Sequence, residues 1–290
     1  MIRAYVRPPK DMSRAMWRIA NALEKYAPAD VRIVQDPSEE LDIYVLHVIS
    51  LDFQPFAARL RKPYAVMQYC TGCDGGRGDM TPWYPMLERA TMTWSYYDLS
   101  AHIDRFYHAP LGIDQVFRKP QPAVDRDVLV MTSGFVNGQG QEAIDPLVKA
   151  AHALGPCDTV HLGPMPTNVT QPFPSFLYRP TDEDLAEMYA RTRWVGALRY
   201  MEGFEMGAAE GLACGARPIM FDRPEARKWF DDLAYFVPET TDEAALQVSL
   251  EQVLRFASAE VHPAARELAL QRFNWRPLVE GFWARVKENL

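Results

Sequence analysis

Two glutamates, Glu202 and Glu210, lie eight residues apart in the segment Tyr200–Phe221, which reads YMEGFEMGAAEGLACGARPIMF. The glycines before Glu210 predict a tight loop, and AAEGLA predicts a helix that ends at Gly215. The N–H groups at the start of such a helix bind anions such as phosphate. Carboxylates cannot help to bind phosphate, but they accept hydrogen bonds from neutral hydroxyls. The segment therefore predicts a site for a ligand with sugar hydroxyls and phosphate; the alternative is that both glutamates are solvated charges.

The elements before residue 116 alternate between strands and helices. The runs IRAYV, VRIV, LDIYVLHVI and PYAVMQY predict strands, and MSRAMWRIANALEKY and FAARLRK predict helices. The alternation continues in short pieces over MLERA, MTWSY and FYHAPLG. This pattern is typical of a doubly wound parallel α/β sheet.

A second alternating series follows the segment Val116–Asp127, which predicts a linker because it holds two prolines and several charges without periodicity. Strands are predicted over VLVMTSGFV, DTVHL, WVGALRY and ARPIMF. QEAIDPLVKAAHAL predicts a helix interrupted by Pro146. TDEDLAEMYART predicts a helix with a capping box, in which Thr181 accepts from the backbone N–H near Asp184. The predicted architecture is two Rossmann-like doubly wound domains that face each other across a cleft.

The composition is that of a globular protein, with 48% hydrophobic residues among 290. No apolar run is long enough to span a bilayer, and MIRAYVRPPKDM lacks the core of a signal peptide, so we expect a cytoplasmic protein.

Residues 1–120 carry 15 Lys and Arg against 14 Asp and Glu, whereas the remainder carries a net charge of −8. This imbalance argues against nucleic acid wrapping around the second half and leaves an anionic acceptor open for the first.

Two further motifs point to other chemistry and are disfavoured. Cys70 and Cys73 form one CxxC, but no second CxxC or HxxxH accompanies it, so no metal site is predicted and a loop with two thiols is preferred.

The run GQGQEA fits a dinucleotide-binding fingerprint. Asp158 follows at about the expected distance, but it precedes its strand, whereas the ribose-binding acid belongs at the strand's carboxyl end. A dehydrogenase is therefore disfavoured.

The stretch DEDLAEMYARTRWVGALRYMEGFEMGAAEGLACGARPIMF resembles the C-terminal signature of the retaining GT-B glycosyltransferases of family 4. The shared features are the helix before the strand, the EGF run, the second glutamate separated from the first by seven residues, and LACG. HAPLGIDQVFRKP also resembles the family's interdomain segment, and LDIYVLH and KPYAVMQY occupy places like its buried N-terminal strands. The resemblance extends over most of the chain and is strongest between residues 181 and 221.

The resemblance implies a reaction in which a hexosyl group moves from a nucleotide-sugar to an acceptor with retention of configuration. Glu202 would hold the donor sugar and Glu210 the ribose diol, while the N–H groups of Gly203, Phe204, Glu205 and Met206 would face the sugar and phosphate. The loop with Tyr178 and Arg179 would border the base. His47 matches a histidine position of the family. No cofactor and no metal is implied, because helix dipoles and basic side chains stabilise the leaving diphosphate.

The sequence departs from the family at the diphosphate. The family's second domain opens with an Arg and a Lys, and TSGFVNGQGQE has neither. Arg199 is the candidate substitute, assisted by backbone amides of the glycine-containing run that includes Gly134, Gly138 and Gly140. Glu205 stands where the family usually has glycine, and Tyr69 where it often has histidine. These departures keep a second hypothesis open, a non-catalytic GT-B module that binds nucleotide or glycan as a partner subunit.

We therefore predict three segments. Residues 1–119 form an acceptor-side domain, residues 120–273 bind the nucleotide-sugar, and residues 274–290 form an amphipathic helix that crosses back to the first domain. The expected partners are the donor and an acceptor that is a glycan, a lipid-linked sugar, a protein or a modified DNA base. The donor sugar, its nucleotide and the oligomeric state stay open.

Overall fold

The structure is a computed structural model that describes residues 1–8, 14–48, 53–69, 81–119, 125–133, 143–163, 175–200 and 204–290. The chain divides into two compact units. Unit 1 comprises Met1–Gly112, a short segment that ends at Phe204, and Asn274–Leu290. Unit 2 comprises Ile113–Tyr200 and Glu205–Phe273.

In its described part, unit 1 contains a parallel six-stranded sheet. Its strands are β1 (Ile2–Tyr5), β2 (Val31–Ile33), β3 (Ile43–Val48), β4 (Tyr64–Gln68), β5 (Met92–Ser95) and β6 (Phe106–His108). They lie in the order β2-β1-β3-β4-β5-β6, so the order reverses between β1 and β3. The inner strand β4 is buried over its whole length, which explains its continuously apolar sequence.

The described helices of unit 1 are α1 (Arg14–Lys25), α2 (Gln54–Arg59), α3 (Tyr84–Leu87) and α11 (Trp275–Asn289). The last helix packs through aromatic side chains. The ring centroid of Trp94 on β5 lies 6.5 Å from that of Trp275 and 5.3 Å from that of Phe282. The indole of Trp283 donates to the carbonyl oxygen of Leu23 at 3.4 Å. The amphipathic pattern at the C-terminus thus places its apolar side in the core of unit 1.

In its described part, unit 2 contains a second parallel six-stranded sheet. Its strands are β7 (Val128–Ser133), β8 (Asp158–Leu162), β9 (Ser175–Leu177), β10 (Thr192–Ala197), β11 (Arg217–Phe221) and β12 (Tyr235–Val237). The order is β12-β11-β10-β7-β8-β9. Chain order therefore runs outward in one direction from β7 to β9 and in the other from β10 to β12, which is the Rossmann arrangement.

The described helices of unit 2 connect and cover these strands. They are α4 (Gln115–Arg118), α5 (Ile144–His152), α6 (Asp182–Arg191), α7 (Met206–Cys214), α8 (Pro224–Phe230), α9 (Glu243–Phe256) and α10 (Pro263–Arg272). Helix α6 begins with the predicted capping box, since Thr181 accepts from the N–H of Asp184 and the Asp184 carboxylate from the N–H of Thr181. Helix α7 ends at Gly215, which has φ of +98°.

Two parallel sheets with covering helices confirm the prediction of two Rossmann-like doubly wound α/β domains. Three local predictions were wrong. Pro146 does not interrupt α5, because it is the helix's third residue, where the missing N–H has no partner within the helix. Helix α2 ends at Arg59 and does not continue to Lys62. The start of the predicted linker forms α4, whose Phe117 is fully buried in a cluster with Tyr189.

Residues 222–273 had no predicted elements and contain α8, β12, α9 and α10. No helix in the described ranges combines the length and the apolarity needed to cross a membrane.

Candidate functional site

The strand order of unit 2 reverses between β7 and β10. These strands are neighbours in the sheet, with Val130 opposite Trp194 and Met131 opposite Val195, although β8 and β9 separate them in sequence. In open parallel sheets, ligands bind outside the carboxyl ends of the strands at such a reversal. The candidate site is therefore expected where β7 ends at Ser133 and β10 ends at Ala197.

A small, open hollow with room for about one water molecule lies at this reversal. Its walls come from the ends of β7 and β10 and from the first residues of α5. The lining residues are Thr132, Ser133, Ala143, Ile144, Leu147, Gly196, Leu198 and Arg199. The lining is about equally polar and apolar, and its polar side-chain groups are two hydroxyls and one guanidinium. The guanidinium and the hydroxyls are groups that can donate hydrogen bonds to an anionic ligand at this edge of the sheet.

Arg199 supplies the positive charge of the hollow. Its Nη2 donates to the Ser133 hydroxyl at 2.6 Å, and its Nε lies 3.1 Å from Glu205 Oε1. The second contact is an ion pair, since the N–H direction does not meet the geometry of an aligned hydrogen bond. The two side chains are only 10% and 7% exposed. Low exposure strengthens the attraction, because little water screens the charges.

Helix α7 begins immediately after this ion pair. Glu205 is its N-cap residue, and the carbonyl oxygen of Glu205 accepts from the N–H groups of Ala208 and Ala209. The Glu205 side chain makes no capping hydrogen bond to the helix. Met206 is the first helical residue, and its N–H has no acceptor within the helix because of helix geometry. The positive end of α7 therefore lies next to the Arg199–Glu205 pair.

Phe204, one residue earlier, belongs to unit 1. Its ring is 2% exposed and its centroid lies 6.2 Å from that of Tyr96. The predicted contact of its N–H with a donor remains a prediction.

Glu210 lies in the second turn of α7 and is buried, with 2% of its surface exposed. A carboxylate in this setting must be hydrogen-bonded. Cys214 follows one turn later. Burial raises the pKa of its thiol to about 12, and the charge of Glu210 contributes to the shift. The interpretation of Glu210 as a solvated surface charge is therefore wrong, while its contact with a ribose stays a prediction.

Tyr178 and Arg179 follow the edge strand β9. Tyr178 is 60% exposed, and the Arg179 guanidinium carbon lies 5.3 Å from the centre of its ring. Arg179 has φ of +52°, a left-handed conformation that costs energy for a residue with a Cβ. An exposed ring beside a cation offers a stacking surface to a planar ligand.

His47 lies near the carboxyl end of β3, beside β1, where the strand order of unit 1 reverses. Its Nε2 donates to the Val6 carbonyl oxygen at 2.8 Å, and its Nδ1 accepts from the Tyr69 hydroxyl at 2.5 Å. Burial lowers the pKa of His47 to about 4, and burial also raises the pKa of Tyr69 well above its usual range. Both groups are therefore neutral at pH 7, and His47 is held as one tautomer.

Several predicted residues lie outside the described ranges, namely Glu202, Gly203, Gly134, Gly138, Gly140, Cys70 and Cys73. Within the described ranges, no group of three or more His, Cys, Asp or Glu side chains is placed to hold a metal ion.

Two polar residues of the hollow, Thr132 and Ser133, were missed by the sequence analysis. Ser133 holds Arg199, and the hydroxyl of Thr132 contacts His161 Nδ1 at 2.8 Å. Their place in the TSG run at the end of a predicted strand was the signal that could have found them.

Searches with protein-family models and among curated proteins returned no match to this sequence. Solved structures do match. Sucrose-phosphate synthase from Thermosynechococcus elongatus aligns with a TM-score of 0.74 at 12% identity, over 99% of this chain and 98% of that one. AviGT4, a glycosyltransferase involved in avilamycin A biosynthesis, aligns at 0.62 with 11% identity, over 99% and 96%. The pneumococcal O-GlcNAc transferase GtfA, in complex with UDP and GlcNAc, aligns at 0.59 with 11% identity, over 85% and 56%. These neighbours are GT-B glycosyltransferases, and at such identities they show a shared fold.

Proposed function

We propose that this chain is a retaining glycosyltransferase of the GT-B type, which moves a sugar from a nucleotide-sugar donor to an acceptor. The observation that carries the proposal is the strand reversal of unit 2, where Arg199 lines the hollow and pairs with Glu205, the N-cap residue of α7. The fold shared with sucrose-phosphate synthase and other glycosyltransferases supports it. In this proposal unit 2 binds the donor, and unit 1 presents the acceptor.

Charge stabilisation is the chemistry that this hollow would supply. When a sugar leaves a nucleotide-sugar, negative charge accumulates on the diphosphate. Fixed donors that point at this charge lower the barrier, and they do so most effectively where water is scarce. Arg199 is held by Ser133 and is nearly buried, and the first N–H groups of α7 add their dipole. No metal is needed in this proposal.

Glu210 would bind the ribose of the donor through its two hydroxyls, and Glu202 would hold the transferred sugar. Tyr178 and Arg179 would border the base, with the exposed ring as the stacking surface. In unit 1, His47 would act as a neutral hydrogen-bonding group. Its pKa of about 4 makes it a weak base. The acceptor is a glycan, a lipid-linked sugar, a protein or a modified DNA base, and the proposed location is the cytoplasm.

A thermal-shift panel tests donor binding. UDP-, GDP-, ADP- and dTDP-sugars are added to the wild type, Glu210→Gln and the control Glu187→Gln, which alters an exposed glutamate of α6. A ligand at 100 times its dissociation constant stabilises the folded state by about 2.7 kcal/mol. We expect a rise in Tm with one nucleotide class, kept in the control and lost in Glu210→Gln. No rise with any nucleotide would contradict the donor site.

A second measurement separates an enzyme from a non-catalytic partner subunit. The donor that stabilises the wild type is incubated without acceptor, and release of the free sugar is followed. Slow hydrolysis that is abolished in Glu202→Ala supports the transferase. Binding without any hydrolysis, and without transfer to a panel of acceptors, would instead support the non-catalytic module.

A further inference from the structure

The guanidinium of Arg199 already has an anion beside it. Glu205 Oε1 lies 3.1 Å from Nε, and both side chains are at least nine-tenths buried. Nη2 of the same guanidinium donates to the Ser133 hydroxyl. A guanidinium offers its N–H groups in a planar fork that fits a carboxylate or a phosphate equally well. A carboxylate next to Nε therefore occupies a position that a phosphate oxygen would also take.

Glu205 is also placed against the end of a helix. An N-cap residue usually turns its side chain toward the first N–H groups of its helix, but the side chain of Glu205 makes no such bond. Its carboxylate pairs with Arg199 instead, and both residues belong to unit 2. The side chain of Glu205 thus lies beside Arg199, while its backbone begins α7.

We propose that Glu205 is an internal competitor for phosphate: it holds Arg199 while the site is empty and releases the guanidinium when the diphosphate of the donor binds. This inference rests on the proposed function, because it assigns a regulatory role within the donor site. Binding of the diphosphate then replaces the Arg199–Glu205 ion pair by an ion pair between Arg199 and phosphate. The affinity for phosphate is lower by the free energy needed to break the first pair. Ligands with a single weak negative charge do not open the pair, whereas a diphosphate does.

The test uses inorganic pyrophosphate, which needs no knowledge of the base or sugar. Its dissociation constant is measured by calorimetry, with EDTA present, for the wild type, Glu205→Gln and the control Asp127→Asn. The control removes one ion-paired carboxylate of unit 2, at the amino end of β7, where Asp127 pairs with Arg191. Both variants change the net charge equally. We expect pyrophosphate to bind about tenfold more tightly to Glu205→Gln and within about twofold of the wild type to Asp127→Asn.

The double variant Arg199→Gln/Glu205→Gln shows whether the gain acts through the guanidinium. We expect the double variant to lose the tightened binding and to stay folded, because both charges of the buried Arg199–Glu205 pair are removed together. Should Glu205→Gln fail to fold, Glu205→Asp is used, since its shorter side chain draws the carboxylate away from Nε. Its expected gain has the same sign and is smaller.

The outcomes separate this inference from the proposed function. Equal or weaker binding of pyrophosphate to Glu205→Gln overturns the inference, and so does a gain of the same size in Asp127→Asn. If nucleotide-sugars bind the wild type while Glu205→Gln shows no gain, only the inference fails. If pyrophosphate binding tightens as expected while no nucleotide-sugar binds any variant, the inference stands for an anion site and the proposed donor is wrong.

Discussion

His47 Nε2 lies 2.8 Å from the carbonyl oxygen of Val6, so the imidazole is tied to the chain that leaves β1 while it projects from β3. The bond fixes the proton on Nε2 and leaves Nδ1 as the acceptor for Tyr69, whose ring is stacked on the imidazole at 5.9 Å between centroids. A protonated imidazole would carry a second N–H at Nδ1, and the Tyr69 hydroxyl would then have to turn to accept from it.

The first prediction follows from this arrangement and concerns acid stability. His47 has a pKa of about 4 in the folded state and about 6.5 in the unfolded chain. Between these values the unfolded chain binds the extra proton, so the free energy of unfolding falls as the pH falls from 6.5 to 4. The loss between pH 7.5 and pH 5 is about 2 kcal/mol. Urea unfolding of the wild type and His47→Gln at both pH values measures it.

In His47→Gln this share of the acid destabilisation should disappear, even though the variant is less stable at pH 7.5. The control His102→Gln alters an exposed histidine and should keep the full loss. A pH dependence that is the same in His47→Gln and in the wild type would show that His47 is not buried as a neutral ring.

The second prediction concerns the shape of the cation at the candidate site. Arg199→Lys keeps the charge but replaces a planar fork by a single ammonium, which cannot hold both Ser133 and a phosphate in one plane. We expect binding of the nucleotide-sugar to weaken about tenfold, or about 1.4 kcal/mol. Calorimetry with the donor identified by the thermal-shift panel measures the change.

The matched control is Arg193→Lys, on β10, where the exposed guanidinium donates to the carbonyl oxygen of Arg126 at 2.8 Å. It should bind the donor as the wild type does. Equal weakening in both variants would mean that overall charge, rather than Arg199, controls donor binding.

Features set by a few consecutive residues could be predicted from the sequence. The capping box of Thr181 and Asp184 spans four residues and is confirmed, and so is the end of α7 at Gly215, where a left-handed φ favours glycine. Pro146 shows the limit of such rules. A proline in the interior of a helix ends that helix, whereas a proline in the first turn is tolerated. The sequence does not show where the first turn begins.

The candidate site could be predicted only in part. Arg199 was found because it precedes the glutamate motif, but its partner Ser133 is 66 residues away in sequence. The two meet because β7 and β10 are neighbours in the sheet, and strand order is a property of the whole chain. The same holds for His47, whose partner Val6 is 41 residues away. Spacing along the chain contains no signal for such pairs.

The third prediction concerns the contact of α7 with the sheet. A Cβ on Gly211 would lie 2.7 Å from Val195 Cγ2 on β10. Gly211→Ala gains about 1 kcal/mol of helix propensity, but overpacking costs about 1–3 kcal/mol, so we expect net destabilisation. In a Val195→Ala background the obstructing methyl is gone, and the same substitution should become stabilising. Urea unfolding of the four proteins of this cycle measures the reversal. Additive effects would contradict the close approach.

The fourth prediction concerns the last helix of unit 1. A Cβ on Gly112 would lie 2.4 Å from Trp275 Cδ2 and 2.8 Å from the Trp275 backbone nitrogen. Rotation of the indole cannot relieve the second contact, so Gly112→Ala should cost about 3 kcal/mol. Gly155→Ala is the comparison, because a Cβ there meets no atom within 4 Å and only its φ of +121° is unfavourable; its cost should be about 1–2 kcal/mol. Trp275→Ala should not rescue Gly112→Ala, unlike the Gly211 case. Rescue, or equal losses in the two glycine variants, would show that the backbone contact between Gly112 and Trp275 is not what limits this position.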